Sequence, residues 1–261
     1  MRLLLILFAL IIVGCQSNQP KSLPGAPENT ENLTVSAAAS LRDAFNEIGE
    51  LYSSKTGRSV SFNFGASGAL QKQIESGAPV DVFASAGEKQ MNEIADKGLI
   101  DAATRRDFAR NTLVMIVPQD SKLKLTAFAD LATPEVQKIA VGNPKTVPAG
   151  QYTEQLFENG NLKNTVQPKL ILAEDVRQVL DYVVRGEVDA GVVYTTDARI
   201  AGEKVRFAAT APEAGHSPIL YPIAIIRDTR QKQAAQEFVD LVGGAEGQTI
   251  LQKYGFASAR K

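Results

Sequence analysis

The segment LTVSAAASLRDAFNEIGELY, residues 33–52, contains a complete strand–turn–helix unit. Residues 33–36 have the character of a short strand, and four small residues, 37–40, follow them. Beyond this turn, apolar side chains recur at intervals of three and four, which predicts a helix that ends near Gly57. A strand that passes through a short turn into a helix is the basic unit of an α/β fold.

The same unit recurs along the rest of the chain. Apolar or alternating segments predict further strands at residues 60–64, 80–83, 113–117, 139–141, 170–172, 190–194 and 219–226. Helical spacing predicts helices near residues 70–74, 90–97, 152–157 and 176–184, and a last one over 231–254 that is broken at Gly243. Repeated β-α units imply mostly parallel sheets covered by helices. Because neither GxGxxG nor GxxxxGKS/T occurs, we expect two doubly wound lobes and not a single nucleotide-binding sheet.

The composition excludes several classes of function. The chain has 261 residues, 44% of them hydrophobic and 22% charged, which is typical of a globular protein. With 28 Lys and Arg against 29 Asp and Glu, the formal net charge of -1 provides no basic field for nucleic acid. The single cysteine, Cys15, and the single histidine, His216, exclude an internal disulfide framework and a multi-histidine or multi-thiolate metal site.

The first residues predict export and anchoring. Met1 and Arg2 precede an uninterrupted apolar run, residues 3–13, which is too short to span a bilayer but typical of a secretory signal. The run ends in IVGC and resembles a bacterial lipoprotein signal, in which Cys15 is acylated after residues 1–14 are removed. The alternative is an ordinary signal peptide with an incidental cysteine. Residues 15–32 would then be the lipidated cysteine and a polar, proline-containing tether, and the protein would be lipid-anchored outside the cytoplasm.

Small residues mark the turns between predicted strands and helices. In open parallel sheets, ligands collect at the carboxyl ends of the strands, where helix N-termini also point. The turns around Ser40, Ser67, residues 148–150 and residues 174–176 lie at such ends. Free N–H groups and hydroxyls at these positions can bind a tetrahedral oxyanion without a contacting Lys or Arg.

Each of these residues also has a plainer interpretation. Ser40 and Ser67 could be N-caps of their helices. Glu174 and Asp175 could compensate the dipole of the helix that follows them. Tyr194, at the end of a predicted strand, could be a half-buried aromatic with a hydrated hydroxyl.

Taken together, these segments resemble the periplasmic molybdate-binding proteins of ABC transporters. The similarity extends over about residues 33–256 and rests on the motifs AAASL (37–41), GASGAL (65–70), GAPVDVFASA (77–86), VPAG (147–150), AEDVR (173–177) and GVVYTTDA (191–198). It implies a type II periplasmic-binding-protein fold, in which two α/β lobes are joined by two crossover segments and close on the ligand. Lobe 1 would comprise residues 33–112 and 220–261, and lobe 2 residues 113–219.

The resemblance also implies a binding site. Ser40 and Ser67 would contact the oxyanion through hydroxyl and backbone N–H, Ala149 and Val176 through backbone N–H, and Tyr194 through its phenol. The ligand would be molybdate or tungstate, with molybdenum held only as molybdate through these same residues and with no further cofactor. The partner would be the membrane permease of an ABC transporter, and the binding protein would be a monomer.

Two features leave details of this site open. Gly68 and Ala69 stand where some relatives carry further hydroxyl residues, so minor contacts there are in doubt. Glu174 and Asp175 raise the alternative of a site in which carboxylates coordinate the metal.

Other functions compete with this one. A smaller oxyanion such as sulfate is the alternative ligand, since a rigid cavity sorts anions by size. A serine-type hydrolase would use Ser40, Ser67 or Ser85, but the one available base, His216, lies in a predicted surface loop. A structural or adhesion lipoprotein would not need several Ser- and Gly-containing turns that face one cleft.

Overall fold

A computed structural model describes residues 32–259 of the chain. The predicted signal sequence, Cys15 and the tether up to residue 31 lie outside the described residues, so these remain predictions. In the part of the chain that is described, no helix combines the length and the apolar character that a membrane span requires.

Strands and helices alternate as the sequence predicts. The strands are β1 (Leu33–Ala38), β2 (Val60–Gly65), β3 (Val82–Ala84), β4 (Arg106–Arg110), β5 (Leu113–Pro118), β6 (Ile139–Gly142), β7 (Leu170–Ala173), β8 (Ala190–Tyr194), β9 (Val205–Thr210), β10 (Leu220–Ile225) and β11 (Ala257–Ser258). The helices are α1 (Arg42–Thr56), α2 (Ser67–Glu75), α3 (Glu88–Asp96), α4 (Pro148–Asn159), α5 (Lys163–Val166), α6 (Val176–Val184), α7 (Thr195–Ala201), α8 (Lys232–Gly243) and α9 (Ala245–Lys253).

The strands form two separate sheets. The first has the order β11-β4-β10-β3-β1-β2, and the second has the order β7-β6-β8-β5-β9. The chain therefore passes from the first sheet to the second between β4 and β5 and returns between β9 and β10. We call the first sheet with its helices the first lobe and the second sheet with its helices the second lobe. The predicted fold class, two α/β lobes joined by two crossover segments, is confirmed.

The sheets are mixed, so the expectation of mostly parallel sheets is wrong in part. β1 runs parallel to β2 and β3, and β6 runs parallel to β7 and β8. β10, however, is antiparallel to β3 and β4, and β5 is antiparallel to β8 and β9. β5 and β10 are the strands that enter each sheet from the other lobe. Since no βαβ connection within one sheet leads into them, nothing forces them to run parallel to their neighbours.

The core of the first lobe holds its first turn in place. β1 is almost fully buried, and α1 packs on the sheet through a buried face that includes Phe45, Ile48 and Tyr52. The ring of Phe45 meets that of Phe238 edge-on, with centroids 5.8 Å apart. Replacing a buried phenylalanine by alanine costs about 3–5 kcal/mol. The short 3-10 turn between β1 and α1, Ala39–Leu41, is thus anchored from both sides.

Candidate functional site

All five residues predicted to contact a ligand line one small cavity between the two lobes. Ser40 and Ser67 belong to the first lobe, and Ala149, Val176 and Tyr194 belong to the second. All five are buried. A larger surface cleft lies beside Arg106 and Gln248 and shares no lining residue with this cavity. A small anion is held by convergent donors and not by volume, so the smaller cavity is the candidate site.

Helix N-termini surround this cavity. α2 begins at Ser67, α4 at Pro148 and α6 at Val176, and the 3-10 turn that contains Ser40 leads into α1. The N–H groups of a first helical turn have no acceptor within the helix and carry the positive end of its dipole. Four such ends therefore provide a favourable potential for an anion, together with those of their N–H groups that other parts of the fold do not accept from.

The start of α4 approaches its sheet very closely. A Cβ atom at Gly150 would lie 2.0 Å from the carbonyl oxygen of Gly142, so only glycine fits there. Pro148 occupies the first turn, where its lack of an N–H costs nothing. The small residues of this turn thus allow Ala149 to line the cavity.

The hydroxyl of Ser67 does not cap its own helix. The N-cap of α2 is Ala66, and no side chain caps this helix. Ser67 Oγ instead accepts a hydrogen bond of 3.0 Å from the N–H of Ala86. Because that N–H uses a lone pair of the oxygen, the hydroxyl proton remains available to an acceptor in the cavity. The N-cap interpretation of Ser67 is therefore wrong.

Ser40 follows the same pattern. The N-cap of its 3-10 turn is Ala38, without a side-chain cap. Ser40 Oγ lies 3.0 Å from the hydroxyl of Tyr221, which is fully buried. Neither serine serves as an N-cap, so both hydroxyls are positioned by other parts of the fold, and both residues line the cavity.

Tyr194 ends β8 and is 1% exposed. Its hydroxyl donates a long hydrogen bond, 3.4 Å, to the carbonyl oxygen of Ala86 in the other lobe. Burial raises the pKa of Tyr194 well above its usual value, so the phenol keeps its proton at neutral pH. The phenol has one proton, so it can donate to a ligand only by giving up this long bond to Ala86.

A buried ion pair behind the cavity was missed by the sequence analysis. Asp197, in α7, is fully buried and accepts a hydrogen bond of 3.1 Å from the N–H of Tyr194. Its other carboxylate oxygen lies 2.8 Å from Arg177 Nε, at ion-pair distance but without the alignment of a hydrogen bond. Burial raises the pKa of Asp197 to about 6, although the charge of Arg177 opposes the shift.

Arg177 also reaches the first lobe. Its Nη2 lies 2.6 Å from Asp43 Oδ2 and 3.4 Å from the carbonyl oxygen of Ser40. The side chain is 17% exposed. Arg177 therefore bridges the lobes beside a predicted ligand contact while Asp197 holds it from behind. Both residues occur in quoted motifs, AEDVR and GVVYTTDA, but no local pattern indicates that they meet.

Of the two acids that precede α6, Asp175 has a structural role. Asp175 is the N-cap of α6, and its Oδ1 accepts from the N–H groups of Arg177 and Gln178 at 2.8 and 3.1 Å. The side chain of Glu174 is exposed. Within residues 32–259, no group of three or more His, Cys, Asp or Glu side chains is arranged to hold a metal ion. The capping interpretation thus accounts for Asp175.

The lobes touch directly at the edge of the cavity. The N–H of Gly68 donates to the carbonyl oxygen of Thr146, in the second lobe, at 2.9 Å. A Cβ atom at Gly68 would lie 2.6 Å from that oxygen. Nearby, Gln90 Nε2 donates to Gln151 Oε1 at 3.2 Å, again between the lobes. The sequence left open whether Gly68 contributes minor contacts to the ligand. In the structure it is a position where only glycine permits this approach of the two lobes.

Comparison with known proteins agrees with this architecture. The family model described as bacterial extracellular solute-binding protein matches residues 33–257. The chain belongs to this family. It is 40% identical over 250 residues to YvgL of Bacillus subtilis (strain 168), provisionally named an ABC transporter substrate-binding lipoprotein, and the match covers 95% of this chain and 94% of that protein.

Two further relatives carry names that mention molybdenum. The molybdate-binding protein ModA of Escherichia coli (strain K12) is 36% identical over 233 residues, which cover 86% of this chain and 88% of that protein. The solved substrate-binding domain of a provisionally assigned molybdenum ABC transporter from Clostridium difficile is 39% identical, with a TM-score of 0.68 over 88% of this chain and 99% of that one. The resemblance to periplasmic molybdate-binding proteins is confirmed.

In this solute-binding protein the candidate nucleophiles have other partners. Ser40 pairs with Tyr221 and Ser67 with Ala86, as described above. Ser85 Oγ donates to the carbonyl oxygen of Gly87 at 2.7 Å. His216 Nδ1 lies 2.8 Å from the carbonyl oxygen of Ser217, in the predicted loop. Among the hydrogen bonds of residues 32–259, none joins one of these three serines to His216 as a catalytic triad would require.

Proposed function

We propose that this protein is the extracytoplasmic substrate-binding component of an ABC transporter, which captures molybdate or tungstate between its lobes and delivers it to a membrane permease. The observation that carries the proposal is the convergence of four helix N-termini and three buried hydroxyls on one cavity. The names of the relatives from Escherichia coli and Clostridium difficile support this ligand class.

The donors of this cavity are neutral. Among the described residues that line it there is no lysine or arginine. A site of neutral N–H and O–H donors binds a dianion through helix dipoles and hydrogen bonds, so selection depends on whether each donor reaches an oxygen. Ser40, Ser67, Ala149, Val176 and Tyr194 provide these donors in our proposal.

Size then separates candidate anions. Molybdate and tungstate have longer metal–oxygen bonds than the sulfur–oxygen bonds of sulfate. A donor that falls short of a small anion keeps its desolvation cost without a full hydrogen bond, which costs about 1–3 kcal/mol for each donor. We therefore expect molybdate and tungstate to bind more tightly than sulfate.

Calorimetric titration with molybdate, tungstate and sulfate tests the proposal. Ser40→Ala and Ser67→Ala should each weaken molybdate binding by about 1.5–3 kcal/mol, since each removes a hydrogen bond to a charged acceptor. Ser54→Ala is the matched control, because its hydroxyl donates to Leu51 O on the exposed face of α1. Tight sulfate binding with weak molybdate binding would replace the proposed ligand, and no binding of any of the three would refute the proposal.

Lobe closure is part of the proposed mechanism. Lobe 1, residues 33–112 and 220–261, and lobe 2, residues 113–219, would hinge about the two crossover segments. Direct contacts between the lobes, such as that of Gly68 with Thr146, support a closed arrangement. Small-angle scattering should give a smaller radius of gyration with molybdate than without it, and an unchanged profile at saturation would count against the hinge.

Anchoring through Cys15 is the last element of the proposal. The apolar run that ends in IVGC supports it, as does the name of the relative YvgL. A diacylated cysteine would hold a monomeric protein at the outer face of a membrane. Cys15→Ala should abolish partitioning into the membrane fraction, and normal partitioning of that variant would exclude a lipid anchor.

A further inference from the structure

Tyr221 is a fully buried tyrosine beside the candidate site. It lies in β10, the strand by which the chain returns to the first lobe. Its ring packs edge-on against Tyr194 and Phe256, with centroids 5.9 and 5.4 Å away. The ring is therefore held rigidly, and the position of its hydroxyl is fixed by the core.

Ser40 and Asn111 both contact the hydroxyl of Tyr221. Ser40 Oγ lies at 3.0 Å, and Asn111 Nδ2 lies at 3.2 Å. Asn111 belongs to the other crossover, between β4 and β5. A phenol can donate one hydrogen bond and accept others, so the partners decide the direction in which each bond runs.

The orientation of the side-chain amide of Asn111 is determined by its hydrogen bonds. Its Oδ1 accepts a hydrogen bond of 2.9 Å from the N–H of Thr112, and only the amide oxygen can accept from an N–H group. The amide nitrogen must then face the other way, where it donates to Tyr221 Oη and, at 3.0 Å, to Thr196 Oγ1. Both protons of the amide nitrogen are used.

The remaining bond joins Tyr221 Oη and Ser40 Oγ and can run from the phenol to the serine. Because Asn111 donates to the Tyr221 oxygen, the phenol proton is left available to Ser40 Oγ. A bond in this direction makes Ser40 an acceptor from Tyr221 and leaves the proton of Ser40 free for an acceptor in the cavity.

We propose that Tyr221 and Asn111 are positioning residues that orient the hydroxyl of Ser40 as a donor toward the bound anion. The inference rests on the proposed function, because it assigns Ser40 a role in holding an oxyanion. An unguided serine hydroxyl rotates among its staggered positions and can present a lone pair to the ligand, which repels an anion. The chain of hydrogen bonds from Asn111 through Tyr221 to Ser40, which we call the relay, prevents the serine from presenting a lone pair to the ligand.

A double-mutant cycle on molybdate affinity tests the relay. Tyr221→Phe keeps the ring and removes the hydroxyl, and we expect it to weaken binding about three- to tenfold, the value of one net hydrogen bond. In the Ser40→Ala background the same change should alter affinity by less than about twofold, because no hydroxyl remains to be oriented. Equal losses in both backgrounds, or no loss in the parent, would overturn the proposal.

Tyr52→Phe is the matched control. Tyr52 is also buried in the first lobe, and its hydroxyl donates to the carbonyl oxygen of Ala234 at 3.1 Å. This variant should melt at a lower temperature and keep the parent affinity. A loss of affinity as large as that of Tyr221→Phe would mean that any buried tyrosine hydroxyl has this effect, and it would overturn the specific role of Tyr221.

A ligand-free measurement separates this inference from the proposed function. If the parent binds no oxyanion, the proposed function fails, but the same cycle can be run on the unfolding equilibrium constant. Tyr221→Phe should change that constant about three- to tenfold more in the parent than in Ser40→Ala. If Tyr221→Phe does not fold, Asn111→Ala replaces it in both cycles. Absence of coupling with Ser40 in the ligand-free cycle would refute the relay.

Discussion

The ion pair between Arg177 and Asp43 joins the two lobes, so Asp43→Asn should weaken ligand binding without unfolding either lobe. Arg177 Nη2 lies 2.6 Å from Asp43 Oδ2, with side-chain exposures of 17% and 35%. Asparagine keeps the shape of the side chain and one acceptor oxygen, and it removes only the charge. Arg177 retains its contact with Asp197 in this variant, so no buried charge is left alone.

The free energy that this ion pair contributes can be judged from the solvent exposure of Arg177 and Asp43. Fully exposed ion pairs contribute about 0.2–1 kcal/mol, and this one is partly shielded from solvent. Since more than a third of Asp43 remains exposed, we discount the pair to about 1 kcal/mol. That is about a fivefold loss of affinity. The contact forms only when the lobes are together, so the loss should appear mainly as faster ligand release.

Stopped-flow dissociation and calorimetric titration measure this effect. Asp240→Asn is the control, because Asp240 pairs with Arg106 at 2.9 Å within the first lobe. The difference between Asp43→Asn and the parent should shrink at high salt, which screens partly exposed charges. If Asp43→Asn releases molybdate at the parent rate in low salt, the Arg177 bridge does not stabilise the closed lobes and our account of it is wrong.

Three further predictions rest on separate observations. Gly68→Ala should weaken molybdate binding at least about tenfold, because the Cβ of the new alanine would clash with the carbonyl oxygen of Thr146. The melting temperature should fall little, because alanine is a better helix former than glycine. Titration and thermal melting measure the two effects, and an affinity equal to that of the parent would refute the prediction. Tyr194→Phe should weaken molybdate binding by about 1.5–3 kcal/mol, and sulfate binding by less, on calorimetric titration. If the variant binds molybdate as the parent does, Tyr194 lines the cavity without donating a hydrogen bond to the ligand. The pKa of Asp197 in the folded protein is raised to about 6, so the folded state binds this proton more tightly than the unfolded state does. The free energy of unfolding should therefore fall by about 1 kcal/mol from pH 5 to pH 7. Denaturant titration should show this fall in the parent and not in Asp197→Asn.

The local part of this site could be predicted from the sequence. Each of the turns around Ser40, Ser67 and Ala149 joins a strand to the helix after it, and that geometry depends on neighbouring residues. Parallel strands then bring successive turns to the same edge of a sheet. The convergence of these turns on one cavity follows from topology, which the alternation of strands and helices already indicates.

Some elements were missed because their patterns are weak. β4 has the sequence RDFAR, in which only Phe108 and Ala109 are buried, so its apolar character is slight. β9 alternates but has a 53% exposed phenylalanine, Phe207, on its outer face. α7 starts directly after β8, with no intervening loop to mark it. The two strands gain their structure from neighbours in the sheet more than from their own sequence.

The partners of the site residues could not be predicted for a different reason. Ser40 and Tyr221 are separated by 181 positions, and Arg177 and Asp43 by 134. Periodicity shows which face of an element is buried, but it does not show which two buried faces meet. Tyr221 looks like any core tyrosine of a strand until the crossovers place it beside Ser40 and Asn111.

The position of charge relative to the cavity connects these observations. The donors that line the cavity are neutral, and Asp175 is the one charged side chain among the described residues of its lining. Arg177, Asp197 and Asp43 form a chain of charges that contacts two lining residues, Ser40 and Tyr194, from outside the lining. A cation in direct contact would attract any anion of suitable charge, whereas neutral donors at fixed positions respond to the geometry of the ligand. In the proposed mechanism, the charges of Arg177 and Asp43, which lie in different lobes, act on closure. Tyr194 would serve both contact with the ligand and closure, because its hydroxyl also bonds Ala86 across the lobes. Asp43 would serve closure alone, so its substitution should alter the release rate without removing a ligand contact.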